Sequence, residues 1–308
     1  MIAFGSAITD LEIYERCAER GVRRAAEPDS AVFAFEGMET LFRGYNLLLD
    51  KAAAHDDLEA LVLIHQDAEI TDPDFCAKTR RALTDPDVAI VGCAGAVGVR
   101  SIAWWEGAVT WASFTHRYTE LGGGEFPAFA WNADRLPSHA HTGEVDSIDG
   151  FVMVLSPWAV QKLRFDETLG RLHGYDFDFC MQARAAGKKV VTEAYRVIHH
   201  HSLELISDPE SWVEANIRLA EKWQDVLPRS GPDGGDWRRR ALRAEAEASA
   251  ARGRARSAEL QHEALDHCIR GSWSWRLTAP LRLAGGSALR ARLRNRGLRQ
   301  ARPPQEPA

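Results

Sequence analysis

Four fragments of this 308-residue sequence carry residue types that can do chemistry. His65-Gln66-Asp67 follows the apolar run LVLI, at what reads as the carboxyl end of a strand. Open α/β sheets bind ligands in the crevice beyond such ends, and a carboxylate there can hold a divalent cation against a diphosphate. The same aspartate would serve equally as a turn residue capping the next element. Asp176 and Asp178, in the fragment Gly174-Tyr175-Asp176-Phe177-Asp178, fall in the first turn of a helix. Acids are stabilising there on capping and dipole grounds. A carboxylate within reach of an attacking hydroxyl could also take its proton as general base.

The run His199-His200-His201 follows VVTEAYRVI, and a neutral imidazole from it could complete a metal site. Three consecutive side chains cannot all point one way, so one or two at most would face a site; a surface cluster is the other reading. Asp149-Gly150 interrupts the apolar stretch 145–155. It marks a bulge, a close approach of backbone to ligand, or a plain turn.

The elements that must position these groups alternate short apolar runs with amphipathic stretches, the pattern of an α/β sheet. Strands are predicted over residues 2–8, 31–35, 60–64 and 88–93, each bounded by Gly, Asp or Pro. Helices are predicted over 11–19, 40–53 and 75–83, the last started by Asp72-Pro73-Asp74. Residues 98–141 hold Trp104, Trp105, Trp111 and Trp131 and read as loops and irregular strands. Further on, 157–163 and 176–186 read as helices and 189–198 as a strand. A helix over 210–227 carries Trp212, Leu219, Trp223 and Val226 on one face and ends at Pro228.

The expected organisation is a catalytic-size domain over 1–228, a Gly/Pro/Asp-rich linker over 229–236, and an Arg-rich helical tail with a disordered end over 237–308. From Trp237 to Ala308 there are sixteen arginines, no lysine and six acids, about +10, so with −6 for the whole chain the remainder carries about −16. An acidic body argues against nucleic acid as a partner. The basic tail, with Trp273, Trp275, Leu277, Leu281 and Leu283, could meet an anionic membrane surface; a solvated helix or an oligomer contact is the alternative. Five scattered cysteines with no CxxC pair indicate neither a disulfide framework nor a zinc ribbon. With no signal-peptide pattern at MIAFGSAITD and no membrane span, the expected location is cytoplasmic, peripheral at the inner membrane face if the tail binds lipid.

Taken in order, the fragments resemble the family-2-like glycosyltransferases, in particular a bacterial branch of them. The resemblance rests on Tyr45-Asn46, His65 to Asp67, Asp149-Gly150-Phe151, Phe165 to Glu167, then His173 with Tyr175, Asp176 and Asp178, and His200 to Ser202. It implies the GT-A fold: a Rossmann-like, mostly parallel sheet with helices on both faces, here followed by a C-terminal helical tail. It implies a metal-dependent, inverting transfer from a nucleotide diphosphate sugar to a hydroxyl on a glycan or lipid-linked acceptor.

By the same resemblance Asp67 matches the last carboxylate of the DxD-like motif that binds Mn²⁺ or Mg²⁺, with His200 or His201 completing the site. His65 stands where Asp is commoner. Asp176 inherits the role of general base, and Tyr175 replaces the Glu that usually precedes it. Ser6 and Glu36, with His65 and Gln66, lie where such proteins contact the donor. Asp149, Gly150, Tyr175 and Asp178 match the segments that line the donor and acceptor sugars.

Two rivals stand beside this. One is a catalytically inactive sugar-nucleotide-binding or scaffold protein of the same fold, which the changes at 65 and 175 permit. The other is a nucleotidyltransferase, but no Gly-rich basic loop follows the first strand.

Overall fold

A computed structural model of the chain describes residues 1–118, 124–127, 142–200, 206, 208–226 and 236–278. The chain divides into two compact units, Met1–Ser257 and Ala258–Ala308. The first begins β1 (Ile2–Ile8), α1 (Leu11–Arg16), α2 (Ala18–Ala25), β2 (Ala31–Glu36), α3 (Leu41–Ala53) and β3 (Ala60–Ile64). It continues with β4 (Ala68–Ile70), α4 (Phe75–Ala82), β5 (Val88–Gly92), β6 (Ala94–Val97), β7 (Ala108–Ala112), β8 (Phe114–Tyr118) and β9 (Gly124–Pro127). Then come β10 (Glu144–Val145), β11 (Ser147–Ile148), β12 (Val152–Leu155), α5 (Pro157–Lys162), α6 (Tyr175–Ala185), β13 (Lys189–Thr192), β14 (Val197–His199) and α7 (Pro209–Lys222). Helix α8 (Asp236–Gly271) runs from the first unit into the second, which also holds α9 (Trp273–Leu277).

The central sheet has the order β10-β13-β5-β12-β3-β1-β2. β1 pairs in parallel with both β2 and β3, and β13 with β5, whereas β12 runs antiparallel between β3 and β5. Every residue of β3 is buried, which accounts for its unbroken apolar sequence: a strand covered on both faces has no polar side to show. Each of its larger side chains contributes about 1.5–3 kcal/mol by leaving water. Two smaller sheets, β11-β6-β7 and β4-β14-β8-β9, adjoin it.

Strands 2–8 and 60–64 are as expected, and the α/β class is met. The expected helix 11–19 breaks at Cys17, where Ala18 N–H donates to the Gln66 carbonyl at 3.3 Å, tying the helix pair to the turn after β3. The expected strand 189–198 is two strands in two sheets. The chain leaves the central sheet after Thr192, and Arg196 N–H donates to the buried Asp72 carboxylate at 3.0 Å before β14 begins. The helix expected over 210–227 ends at Lys222, and Val226 is exposed rather than on its apolar face.

Candidate active site

The turn after β3 carries His65, Gln66 and Asp67 to the mouth of an open cleft of about 730 Å³. Gln66 fixes that turn to the end of β1: its Oε1 accepts from the N–H groups of Thr9 (2.8 Å) and Asp10 (3.0 Å), and its Nε2 donates to the Thr9 hydroxyl at 3.0 Å. Chain reversal then brings β14 back antiparallel to β4, with His199 opposite Ala68. This places His199 Nε2 3.6 Å from Asp67 Oδ1, which lies 3.9 Å from His65 Nδ1. Ligand atoms of His65, Asp67 and His199 all fall within 4.8 Å of one another, so the three could hold one metal ion. The His199 ring is stacked on Phe151, centroids 4.3 Å apart at 7°.

Of the histidine run, then, it is His199 that meets Asp67. His200, expected there, turns its ring to Glu69, Nε2 to Oε2 3.1 Å. Side chains of consecutive extended residues alternate between faces, so 199 and 200 cannot share one. Burial lowers the His200 pKa. His201 lies outside the described residues.

On the facing wall, Gly174 adopts φ +80° as the N-cap of α6, a conformation that strains residues with a side chain. It launches Tyr175 and Asp176 into the cleft. The Tyr175 hydroxyl and His65 Nε2 share a 2.7 Å hydrogen bond. Asp176 accepts from Gly150 N–H at 3.0 Å and from its neighbour Phe177 N–H at 2.8 Å. Burial, then the nearby Asp149 carboxylate, push Asp176 up to about 7. Burial raises Asp149 as well. A carboxyl poised near neutrality can exchange a proton with a hydroxyl at working pH. Gly150 is required where it is: a Cβ there would collide with the Tyr175 hydroxyl and ring.

Three expected residues lie elsewhere. Asp178 is buried, accepting from Trp223 Nε1 at 2.8 Å and paired with Lys222 at 2.9 Å, so it anchors the end of α7. Ser6 is buried inside the sheet, opposite Ala34, and the cleft is met two residues later by Ile8 and Thr9. Glu36 ends the edge strand β2, exposed and away from the cleft lining. Conversely, His116, which no motif marked, and Trp212, read only as part of an apolar helix face, both line the cleft. His116 faces His199 across the parallel β8–β14 pair, a register no local sequence signal encodes.

Residues 3–219 match the Glycosyltransferase like family. The chain is a member of that family. This glycosyltransferase is similar to the streptomycin biosynthesis protein StrF of Streptomyces griseus, 26% identical over 233 residues that cover 74% of this chain and 76% of StrF. Among solved structures it is similar to GalNAc-T7, solved with UDP, GalNAc and Mn²⁺, at a TM-score of 0.51 and 11% identity over 80% of this chain and 54% of that one. It is also similar to the mannosyltransferase PcManGT of Pyrobaculum calidifontis, in complex with GDP-Man and Mn²⁺, at a TM-score of 0.45 and 15% identity over 94% and 79% of the two chains. The glycosyltransferase thus has the GT-A fold expected from its motifs. Among its described residues no helix is long and apolar enough to cross a membrane.

Proposed function

We propose that this enzyme moves a sugar from a nucleotide diphosphate sugar to a hydroxyl of a glycan or lipid-linked acceptor, in one inverting displacement. The observation that carries the reading is the juxtaposition in one cleft of the His65–Asp67–His199 group and the Asp176 carboxyl held near pH 7. The donor set fits a divalent cation: one carboxylate and two imidazoles, with Tyr175 behind His65. Two nitrogen ligands favour Mn²⁺ over Mg²⁺, which prefers oxygen. Such a cation, when bound, neutralises charge on the diphosphate leaving group. With a cation held between His65 Nδ1 and Asp67, the imidazole would carry its proton on Nε2 and donate it to the Tyr175 oxygen.

Asp176 takes the proton of the acceptor hydroxyl as that oxygen bonds to the anomeric carbon. The bond from that carbon to the diphosphate breaks, and the nucleoside diphosphate leaves. With Asp67 committed to the cation, Asp176 as the single base favours inversion. The Gly150 N–H holds one Asp176 oxygen, leaving the other toward its own helix N-terminus. GalNAc-T7, solved with UDP, GalNAc and Mn²⁺, agrees with this donor class. Five free cysteines suit action in a reducing cytoplasm, and the arginine-rich end of the sequence suits an anionic membrane face.

The test is Asp176→Asn assayed with UDP-, GDP-, dTDP- and CMP-sugars and Mn²⁺. Unchanged donor binding with transfer reduced 10²-fold or more supports the assignment; normal turnover removes Asp176 from the base role.

A further inference from the structure

A continuous aromatic wall leads outward from the paired carboxyls. The Trp104 indole lies beside the Asp149 carboxylate and favours its ionised form, and its ring meets Trp105 edge-on at 6.2 Å. Trp105 in turn lies 5.5 Å from Trp212, tilted by 33°, and Trp212 meets the His173 ring at 5.4 Å. All four line the cleft, together with the polar side chains of Asp208 and Ser211. The wall is not fully explained by packing. Trp212 is 95% buried by its 5% exposure, yet among the described residues its Nε1–H has no acceptor. An unpaired buried donor costs stability that a phenylalanine would not.

The wall is also braced from behind. Its two halves come from distant segments, the turn at 104–106 and helix α7, and α8 clasps both. Arg252 grips Glu106 with two bonds of 2.7 and 3.0 Å. Arg243 bonds both oxygens of Glu210 at 2.9 and 3.0 Å and reaches Glu214 at 3.2 Å. A surface pair of this kind adds little stability alone, but each ties a wall segment to one rigid helix, which is how a binding surface is held ready for its ligand.

We propose that Trp105 and Trp212 form the acceptor subsite, that its ligand is a saccharide, and that α8 positions it through Arg243 and Arg252. The inference rests on the transferase reading above and deepens it. Indole faces with carboxylate, hydroxyl and imidazole groups beside them match a sugar ring, which has one apolar face and a girdle of hydroxyls. An alkyl chain or aromatic aglycone would strip water from the Ser211 hydroxyl and the His173 ring and offer neither a hydrogen bond. The wall starts at Asp149, beside Asp176, so a sugar seated on it presents a hydroxyl to the base.

The experiment is saturation-transfer NMR on the full chain with UDP or GDP and Mn²⁺. The probes are methyl pyranosides and α- and β-linked disaccharides of glucose, galactose, mannose and N-acetylglucosamine, with hexanol and N-acetyltyrosinamide as counter-probes. At least one saccharide is expected to bind, tenfold or more weaker in Trp105→Ala and partly restored in Trp105→Phe. Nucleotide affinity should stay within twofold. Glu106→Arg and Arg252→Glu should each weaken saccharide binding two- to fivefold, and the double swap should recover it. Nucleotide binding without any saccharide binding, preference for a counter-probe, or wild-type binding in Trp105→Ala each overturns the subsite alone. Absence of nucleotide binding would instead sink the transferase reading.

Discussion

The Tyr175 hydroxyl and His65 Nε2 lie 2.7 Å apart, so the two positions at which this chain departs from the residues usual for its motifs touch each other. In the proposed metal site they would act as a unit: a histidine ligand needs its second nitrogen held, and Tyr175 is placed to hold it. Burial keeps the Tyr175 hydroxyl protonated well above neutral pH, so it adds no charge beside the proposed metal site.

Tyr175→Phe removes that bond and little else, because the ring stays packed against Tyr45 and Phe42. Mn²⁺ affinity measured by calorimetry should fall about tenfold, with the melting temperature changed by only a few degrees. Unaltered Mn²⁺ affinity would mean that His65 is not oriented by Tyr175.

The rate should depend on the ionised form of Asp176. Its carboxyl is pushed up to about 7, so kcat/KM in the free enzyme should rise with pH through that value and level off above it. A bound cation would move the rise to lower pH. A profile flat from pH 4.5 to 8.5 contradicts the base assignment.

Stability carries the opposite sign. Between the ordinary Asp value of about 4 and about 7, the folded chain keeps a proton at Asp176 that the unfolded chain has lost. The folded state is therefore favoured at low pH and loses that advantage as pH rises through this window; Asp149, also raised, adds in the same direction. Urea midpoints at pH 5 and 7.5 should differ less in Asp176→Asn than in the wild type.

Asp178 is a packing residue. Asp178→Ala strands the Trp223 indole N–H and removes one partner of Lys222, which keeps Asp166 at 2.7 Å. Unfolding free energy should drop by about 3 kcal/mol, with donor affinity unchanged at temperatures where the variant is folded. Loss of donor binding in a folded variant would return Asp178 to the site.

Much of this was legible before the fold. The runs IAFGSAI and ALVLI are strands because each is apolar and bounded by residues that break pairing, and both end at the cleft. Asp176 and Asp178 share a motif, but about 200° of helix separates them, so only one can face a ligand; that geometry was available in the spacing. The choice between His199 and His200 was not. It depends on where β13 ends and β14 begins, and on pairing with β4 and β8 across 80 residues or more. Trp212 was visible only as part of an apolar helix face, because its partner Trp105 lies on a segment read as irregular.

The most direct test of the metal group is a thermal shift with UDP-, GDP-, dTDP- and CMP-sugars, with and without Mn²⁺, on wild type, His199→Ala and His200→Ala. Each variant is judged against its own unliganded melting point. One nucleotide class should stabilise the wild type and His200→Ala only when Mn²⁺ is present, and His199→Ala should lose that metal-dependent shift. Stabilisation that is indifferent to Mn²⁺, or that survives in His199→Ala and disappears in His200→Ala, contradicts the assignment of the cation to His65, Asp67 and His199.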